Sequence, residues 1–261
     1  MLINKEKLDR LYNQYNHRRF VHPDPLEFLY DYPDLAEMEL VGLIASSLAY
    51  GRVAQILKSI SSILERMHHS PRSFLLNSSR KDLFASFSGF RHRFTTGDEM
   101  AYMLLGAKQA IERYGSLYEC FLTGFNNNDD SIIPAISAFV NEVNSAAAEG
   151  VNSLLPSPER GSACKRLNLF LRWMVRKDRV DPGGWDKVPR SMLIIPLDTH
   201  MHHICTDLNM TCRKNADMLT AIEITEAFRK IAPEDPVRYD FSLTRLGIRK
   251  DADPDSLLRY C

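Results

Sequence analysis

Apolar residues in this chain return every three or four positions, segment after segment, and nowhere settle into the two-residue alternation of a half-buried strand. That rhythm points to helix packed on helix and argues against sandwiches, barrels and parallel sheets. Over 36–49 the stripe is Leu40, Leu43, Ile44 and Leu48. Gly51 interrupts it, and Val53, Ile56, Leu57, Ile60, Ile63 and Leu64 resume it. Residues 99–113 and 131–148 repeat the pattern, with Ser131 and Ser153 where caps or turns are expected. After the loop LLPSPERGS, a helix carries Leu167, Phe170, Leu171 and Met174 before Asp181-Pro-Gly-Gly ends it. SMLIIPL (191–197) reads as a buried strand or an extended lead-in, and Pro196 favours the lead-in. Asp198 then opens a helix, another starts near Asp217, and a last one is opened by Pro236. The expectation is an all-α fold spanning 1–261 without a linker. Two lobes would have to interleave in sequence, about 36–190 as one and 1–35 with 191–261 as the other.

Charge narrows the partners. Lys plus Arg equals Asp plus Glu at 33 each, so the formal net charge is zero and no blanket attraction to nucleic acid operates. Any DNA contact must come from local patches. One such excess runs from Arg160 to Arg179, where Arg160, Lys165, Arg166, Arg172, Arg176, Lys177 and Arg179 face a single acid, Asp178. A 44% hydrophobic content supports a core. The five cysteines, 120, 164, 205, 212 and 261, form no close pair, and the amphipathic N-terminus has no apolar leader core. These features predict reduced thiols and a cytoplasmic setting. The longest apolar patch, Leu40–Ala49, is broken by Gly42, Ser46 and Ser47 and is too short to span a bilayer, so no membrane partner is expected.

Two segments carry a resemblance. Ile195-Pro196-Leu197-Asp198-Thr199-His200-Met201-His202-His203-Ile204 resembles the catalytic-aspartate segment of the helix-hairpin-helix base-excision DNA glycosylases, with Leu197 in place of that group's valine. Upstream, Leu155-Pro156-Ser157-Pro158-Glu159-Arg160-Gly161-Ser162-Ala163-Cys164-Lys165-Arg166 is similar to their hairpin, a proline-bearing turn leading into the helix with the catalytic lysine. Of the two hairpin glycines usual there, Gly161 alone is present. The interval from Lys165 to Asp198 looks most like the archaeal 8-oxoguanine glycosylases. The chain also resembles, over nearly its full length, a bacterial family of uncharacterised proteins, through SLAYGR (47–52), GFRHRF (89–94), GSACKR (161–166) and PEDPVRYDF (233–241).

The resemblance implies two helical lobes around a DNA-binding cleft. It implies a repair enzyme, a monomer acting at the nucleoid, that removes an oxidised base such as 8-oxoguanine from double-stranded DNA, with or without abasic-site lyase activity. Breaking the N-glycosidic bond develops positive charge on the sugar, which a carboxylate beside the anomeric carbon stabilises. Asp198 suits that role, although aspartate is also an ordinary helix cap. A lyase needs an amine to form a Schiff base. Lys165 is the candidate, near a helix start where the dipole disfavours an ammonium; Lys177 is the competitor, at a shorter interval from Asp198. Arg160, Gly161, Ser162, Arg166, Arg172 and His200 are expected to meet the DNA backbone. Tyr50 and Arg52, flanking Gly51, stand where related enzymes carry wedge residues. Trp173, Phe90 and His92 are candidates for the base pocket, each with core packing as the plainer alternative.

Metal chemistry has less support. Cys205, Cys212 and Cys261 fall one thiolate short of an iron–sulfur cluster after Asp198, so no cofactor is expected. Among the histidines, 200 and 203 share a helix face while 202 points elsewhere. Two other functions remain open on the sequence: a DNA-binding protein that keeps the fold without catalysis, and a metal-dependent hydrolase built on Asp198 and the histidines.

Overall fold

Helices carry the chain, as its periodicity predicts. In order they are α1 (Lys5–Tyr15), α2 (Leu35–Ser47), α3 (Val53–Arg66), α4 (Pro71–Asn77), α5 (Arg80–Phe87), α6 (Gly97–Tyr114), α7 (Leu117–Thr123) and α8 (Ile133–Asn144). After a long connection come α9 (Lys165–Val175), α10 (Thr199–Asp207), α11 (Met218–Arg229) and α12 (Asp240–Ile248). The sheet among the described residues is one antiparallel hairpin, β1 (Arg91–His92) with β2 (Thr95–Thr96). The computed structural model describes residues 5–129, 131–146 and 153–248. Cys261 and the end of the helix expected over 131–148 lie outside them. No helix among the described residues is long and apolar enough to cross a membrane.

The chain divides into two units, a middle one of Pro23–Arg160 and a terminal one of Met1–His22 with Gly161–Cys261. The units interleave in sequence, but the borders differ from those expected. Residues 161–190 belong with the termini and 23–35 with the middle unit.

In the middle unit α2 is buried from Glu39 to Ser47, so it is an interior helix rather than a one-faced surface helix. Asp34 caps it by accepting the Glu37 amide. Its one interior acid, Glu39, is 1% exposed and accepts the Leu117 amide at the start of α7, so a carboxylate meets the positive end of a neighbouring helix. A capping box of Thr96 with Glu99 starts α6. Where α6 crosses α8, a Cβ on Gly106 would stand 1.7 Å from the Val143 carbonyl oxygen, so only glycine admits this approach.

The terminal unit ties the two ends of the chain together. Tyr239 donates to Asp9 at 2.8 Å and Tyr12 donates to Asp178 at 3.0 Å. After α9 the Asp181-Pro-Gly-Gly segment folds back. Gly183 and Trp185 amides donate to the Trp173 and Met174 carbonyls, satisfying the helix's last acceptors. Trp185 is fully buried, edge-on to Phe170 at 5.2 Å. Leu193–Leu197 is a buried extended segment, not a strand, with the Ile195 amide on Thr225 Oγ1. The last helix begins at Asp240, not at Pro236. Successive turn bonds, Arg238 to Asp235 and Asp240 to Val237, occupy the intervening residues.

Candidate functional site

Lys165 is the first residue of α9, and the turn before it is tightly specified. Gly161 has φ +76°, and Ser162 Oγ accepts the Cys164 amide. Ser162 also bridges Asp217, and the Met218 amide donates to the Gly161 carbonyl. Cys164 takes the left-handed conformation at φ 46°, unusual for a residue with a side chain. Burial pushes the Cys164 thiol up to about 11, so this buried sulfur stays protonated beside Lys165.

Asp198 is the N-cap of α10, as its sequence position predicts. Its Oδ1 accepts the Met201 amide at 2.9 Å. Its other oxygen, Oδ2, lies 3.8 Å from Lys165 Nζ. The two side chains are 28% and 42% exposed, so amine and carboxylate meet where solvent, and a substrate of suitable shape, can reach them. Lys177 stands elsewhere in the terminal unit, in a surface pocket of about 440 Å³ with Asp186, Arg190, Ser191 and Glu234.

Farther along α9 and at its C-terminal end lies a buried ionic cluster. Arg172 donates Nε and Nη2 to Asp181 Oδ1 at 3.2 and 3.0 Å and pairs through Nη1 with Asp240. Arg176 pairs with Asp181, with Asp178 at 2.8 Å and with Asp235 at 3.0 Å. Burial pushes the Asp181 carboxyl up to about 6, despite the pull of Arg172 and Arg176. Burial likewise raises Asp240 against the pull of Arg172; the Asp198 charge adds to the rise and Lys165 opposes it. For Asp178 burial is outweighed by Arg176 and by the Val180 and Asp181 amides, and its carboxyl is held below the usual range.

The other expected site residues divide clearly. Arg160 and Arg52 are exposed, Arg166 is half-buried on the first turn of α9, and Gly161 and Ser162 sit in the turn before it. Arg172 is 3% exposed with its guanidinium committed to two aspartates, so it is not a DNA-backbone contact; Arg176 is withdrawn in the same way. Trp173 and His92 are fully buried and Phe90 is 6% exposed, so none offers a face on which a base could stack. Packing explains each. Trp173 lies on a helix buried from Leu167 to Val175. His92 bonds Ser59 Oγ at 2.9 Å and the Tyr50 carbonyl at 3.1 Å. Phe90 lies under the Arg66 guanidinium. Tyr50 is half-buried and donates to the His92 carbonyl, its hydroxyl also 2.7 Å from Thr95 Oγ1. Gly51 makes the expected tight turn, at φ +101°. Half-buried His200 leaves Nε2 without a partner, while His202 packs under α10 on the Arg213 carbonyl and His203 is exposed.

Sequence reasoning missed Asp181, Asp235 and Asp240. Nothing local marks them: α9 is buried from Leu167 to Val175, which withdraws Arg172 with its face of the helix, and buried arginines need buried acids, but these stand elsewhere in the chain. Among the described residues no group of three His, Cys, Asp or Glu side chains is close enough to hold a metal ion.

No curated protein and no solved structure matches the chain significantly. Residues 24–249, covering most of both units and including Lys165, Asp198 and Asp240, match the family described as a protein of unknown function, DUF2400, and the chain belongs to that family.

Proposed function

We propose that the chain is a DNA glycosylase of the helix-hairpin-helix kind with abasic-site lyase activity, acting on an oxidised base such as 8-oxoguanine in double-stranded DNA. The observation that carries the reading is the meeting of a part-exposed amine and a part-exposed carboxylate, Lys165 Nζ and Asp198 Oδ2, 3.8 Å apart. Each stands at the start of its own helix, in the chain order that the resemblance implies. In this reading Asp198 stabilises the cationic sugar as the base departs. Lys165 then attacks C1′ and the strand is cleaved from the imine. Arg160, exposed where the chain enters the turn before α9, supplies a donor for a phosphate.

The test is borohydride trapping on duplexes that each carry one damaged base or an abasic site. Wild type is expected to form a covalent complex and Lys165→Gln none, with Lys177→Gln unaffected. Base release and trapping absent from every duplex would overturn the enzyme reading; binding to abasic DNA without release would make the chain a non-catalytic DNA-binding protein.

A further inference from the structure

Phe94 is 78% exposed, more than any other large apolar side chain among the described residues, and its surroundings hold it there. With Arg93 it forms the two-residue connection between β1 and β2, since Arg91 pairs with Thr96 and His92 with Thr95. Such a connection favours asparagine and glycine; here Arg93 takes φ +52° and a phenylalanine follows it. The residues on either side are tied down. His92 and Thr95 are fully buried, and the Tyr50 hydroxyl engages the His92 carbonyl and Thr95 Oγ1. Arg93 is backed by Gly51, where a Cβ would stand 2.8 Å from Arg93 Cδ. Its guanidinium lies over the Phe94 ring at 5.5 Å and over the Tyr50 ring at 5.9 Å. A cation thus covers one face of Phe94 and leaves the other to solvent.

Cations frame the ring. Arg52, Arg91 and Arg93 are all exposed. No acid occurs over 50–55 or 88–97, the segments that build this corner, in a chain whose net charge is zero. The next two acids, Asp98 and Glu99, open α6, and Glu99 is taken up by Thr96 and Ser153. A lone exposed apolar residue needs no explanation. A ring on a fixed turn that goes against local preference, set among three arginines, does, because such departures gather where a chain does more than fold. We infer that this corner of the middle unit binds single-stranded DNA, with an unpaired base stacked on the open face of Phe94 and the flanking phosphates held by Arg52, Arg91 and Arg93. An unpaired base brings a free π-face and neighbouring phosphates together, whereas a base inside a duplex has both faces covered. An anionic membrane would take up a broader apolar face than this ring and the exposed edge of Val53. All of these residues lie in Pro23–Arg160, and Lys165 and Asp198 lie in the other unit. The contact is therefore separate from the chemistry proposed above; only the choice of DNA over RNA rests on that reading.

The test is fluorescence anisotropy of the full-length chain with a labelled thymidine oligodeoxynucleotide of about 12 residues, its duplex and the matching RNA. Wild type is expected to bind the single strand. Phe94→Ala should weaken that binding roughly 10-fold and Phe94→Leu as much, because a π-face is lost, while Phe94→Trp keeps it. Arg52→Ala and Arg91→Ala should each lower the slope of log K against log salt by about 0.7. Leu219→Ala, at an exposed apolar residue of the other unit, should change nothing. Absence of single-strand binding, or Phe94→Ala or Phe94→Leu binding as tightly as wild type, overturns the proposal. An equal Phe94→Ala loss on the duplex overturns the single-strand assignment, and a larger one on RNA overturns the choice of DNA. Cosedimentation with phosphatidylserine vesicles that Phe94→Ala abolishes, without strand binding, overturns it in favour of a membrane. Base release and imine trapping are measured in parallel. A Phe94-dependent grip on single strands without either leaves this surface standing and removes the enzyme; trapping without a Phe94 effect does the reverse.

Discussion

Asp198 serves two partners at once: its Oδ1 receives the Met201 amide at 2.9 Å, and its Oδ2 faces the Lys165 amine at 3.8 Å. One oxygen starts a helix; the other looks onto a reactive nitrogen. The two duties respond differently to substitution. Asparagine caps a helix about as well as aspartate, whereas alanine loses the cap at about 0.5–2 kcal/mol. Asp198→Asn is thus expected to unfold within about 0.5 kcal/mol of wild type yet release base at least ~100-fold more slowly, since the developing sugar charge has lost its counter-charge. Asp198→Ala should show both deficits. Thermal unfolding and single-turnover base release, measured on the same preparations, separate them; an Asp198→Asn protein that keeps its rate would reduce the residue to a cap.

Trp173 and His92 are expected to act on stability rather than on substrate. Trp173→Ala empties a fully buried site and should destabilise the chain by about 3–5 kcal/mol. His92→Leu takes the imidazole from the Tyr50 carbonyl and from the Ser59 hydroxyl, which keeps Gln55 Nε2 at 3.3 Å, at a cost of about 1–3 kcal/mol. Urea unfolding measures both. Were either variant to keep its midpoint and lose lesion discrimination, a base pocket at that residue would return to consideration.

Those residues also mark where the sequence stops being readable. Helix starts at 199 and 218 follow from local chemistry, because Asp198 and Asp217 cap them within a few residues of an apolar period, whereas at 165 Cys164 makes no side-chain cap bond and the apolar period alone marks the helix. Asp198 could be placed at a helix start for that reason. Arg172 could not be placed from its neighbours: the acid that holds it, Asp240, is 68 residues away. A run of seven bases between Arg160 and Arg179 looks like a DNA-facing surface in one dimension, but helix geometry turns Arg172 and Arg176 into the core. Burial divides GFRHRF in the same way, with Phe90 and His92 inside and Arg91, Arg93 and Phe94 exposed. In the β1–β2 hairpin His92 points inward while Phe94, two residues on, is 78% exposed. The unit border at 160/161 was hidden because the hairpin and its helix read as a continuation of the preceding loop.

The ionic cluster gives the terminal unit a pH dependence of defined sign. Asp181 has its carboxyl raised to about 6 by burial, above the ordinary 3.8. Between those values the folded state binds the proton and the unfolded state does not, so this residue's contribution is complete below about 4 and is lost as pH rises through about 6. Asp178, held below its ordinary value, contributes in the opposite sense, with stability lost as pH falls through its lowered range. In Asp181→Asn the first dependence disappears. The difference in unfolding free energy between wild type and Asp181→Asn should therefore be larger at pH 4.5 than at pH 7.5, by on the order of 2 kcal/mol. Equilibrium urea unfolding at the two pH values is the measurement, and a difference that is flat or grows with pH contradicts the raised carboxyl.

Arg160 and Arg172 provide the last contrast, because the same residue type is placed in opposite environments. Arg160 is exposed ahead of the Gly161 turn, whereas Arg172 is locked between Asp181 and Asp240. If the Arg160 guanidinium meets a phosphate, Arg160→Ala lowers affinity for duplex DNA across sequences and reduces the slope of log K against log salt by about one counterion. Its effect on unfolding should stay within about 0.5 kcal/mol, as for other exposed positions. Arg172→Ala takes the guanidinium from buried Asp240 and leaves Asp181 to Arg176 alone, and one-sided removal of a buried pair typically destabilises by about 3–5 kcal/mol. Any loss of DNA affinity in Arg172→Ala should then follow the fraction unfolded, with the salt slope of the folded protein unchanged. Fluorescence anisotropy on a labelled duplex between about 50 and 200 mM salt, paired with unfolding curves, reads both quantities. A salt slope that drops in the Arg172 variant while its unfolding midpoint holds would mean that the guanidinium reaches DNA after all, and that the buried pairing with Asp181 and Asp240 opens when DNA binds.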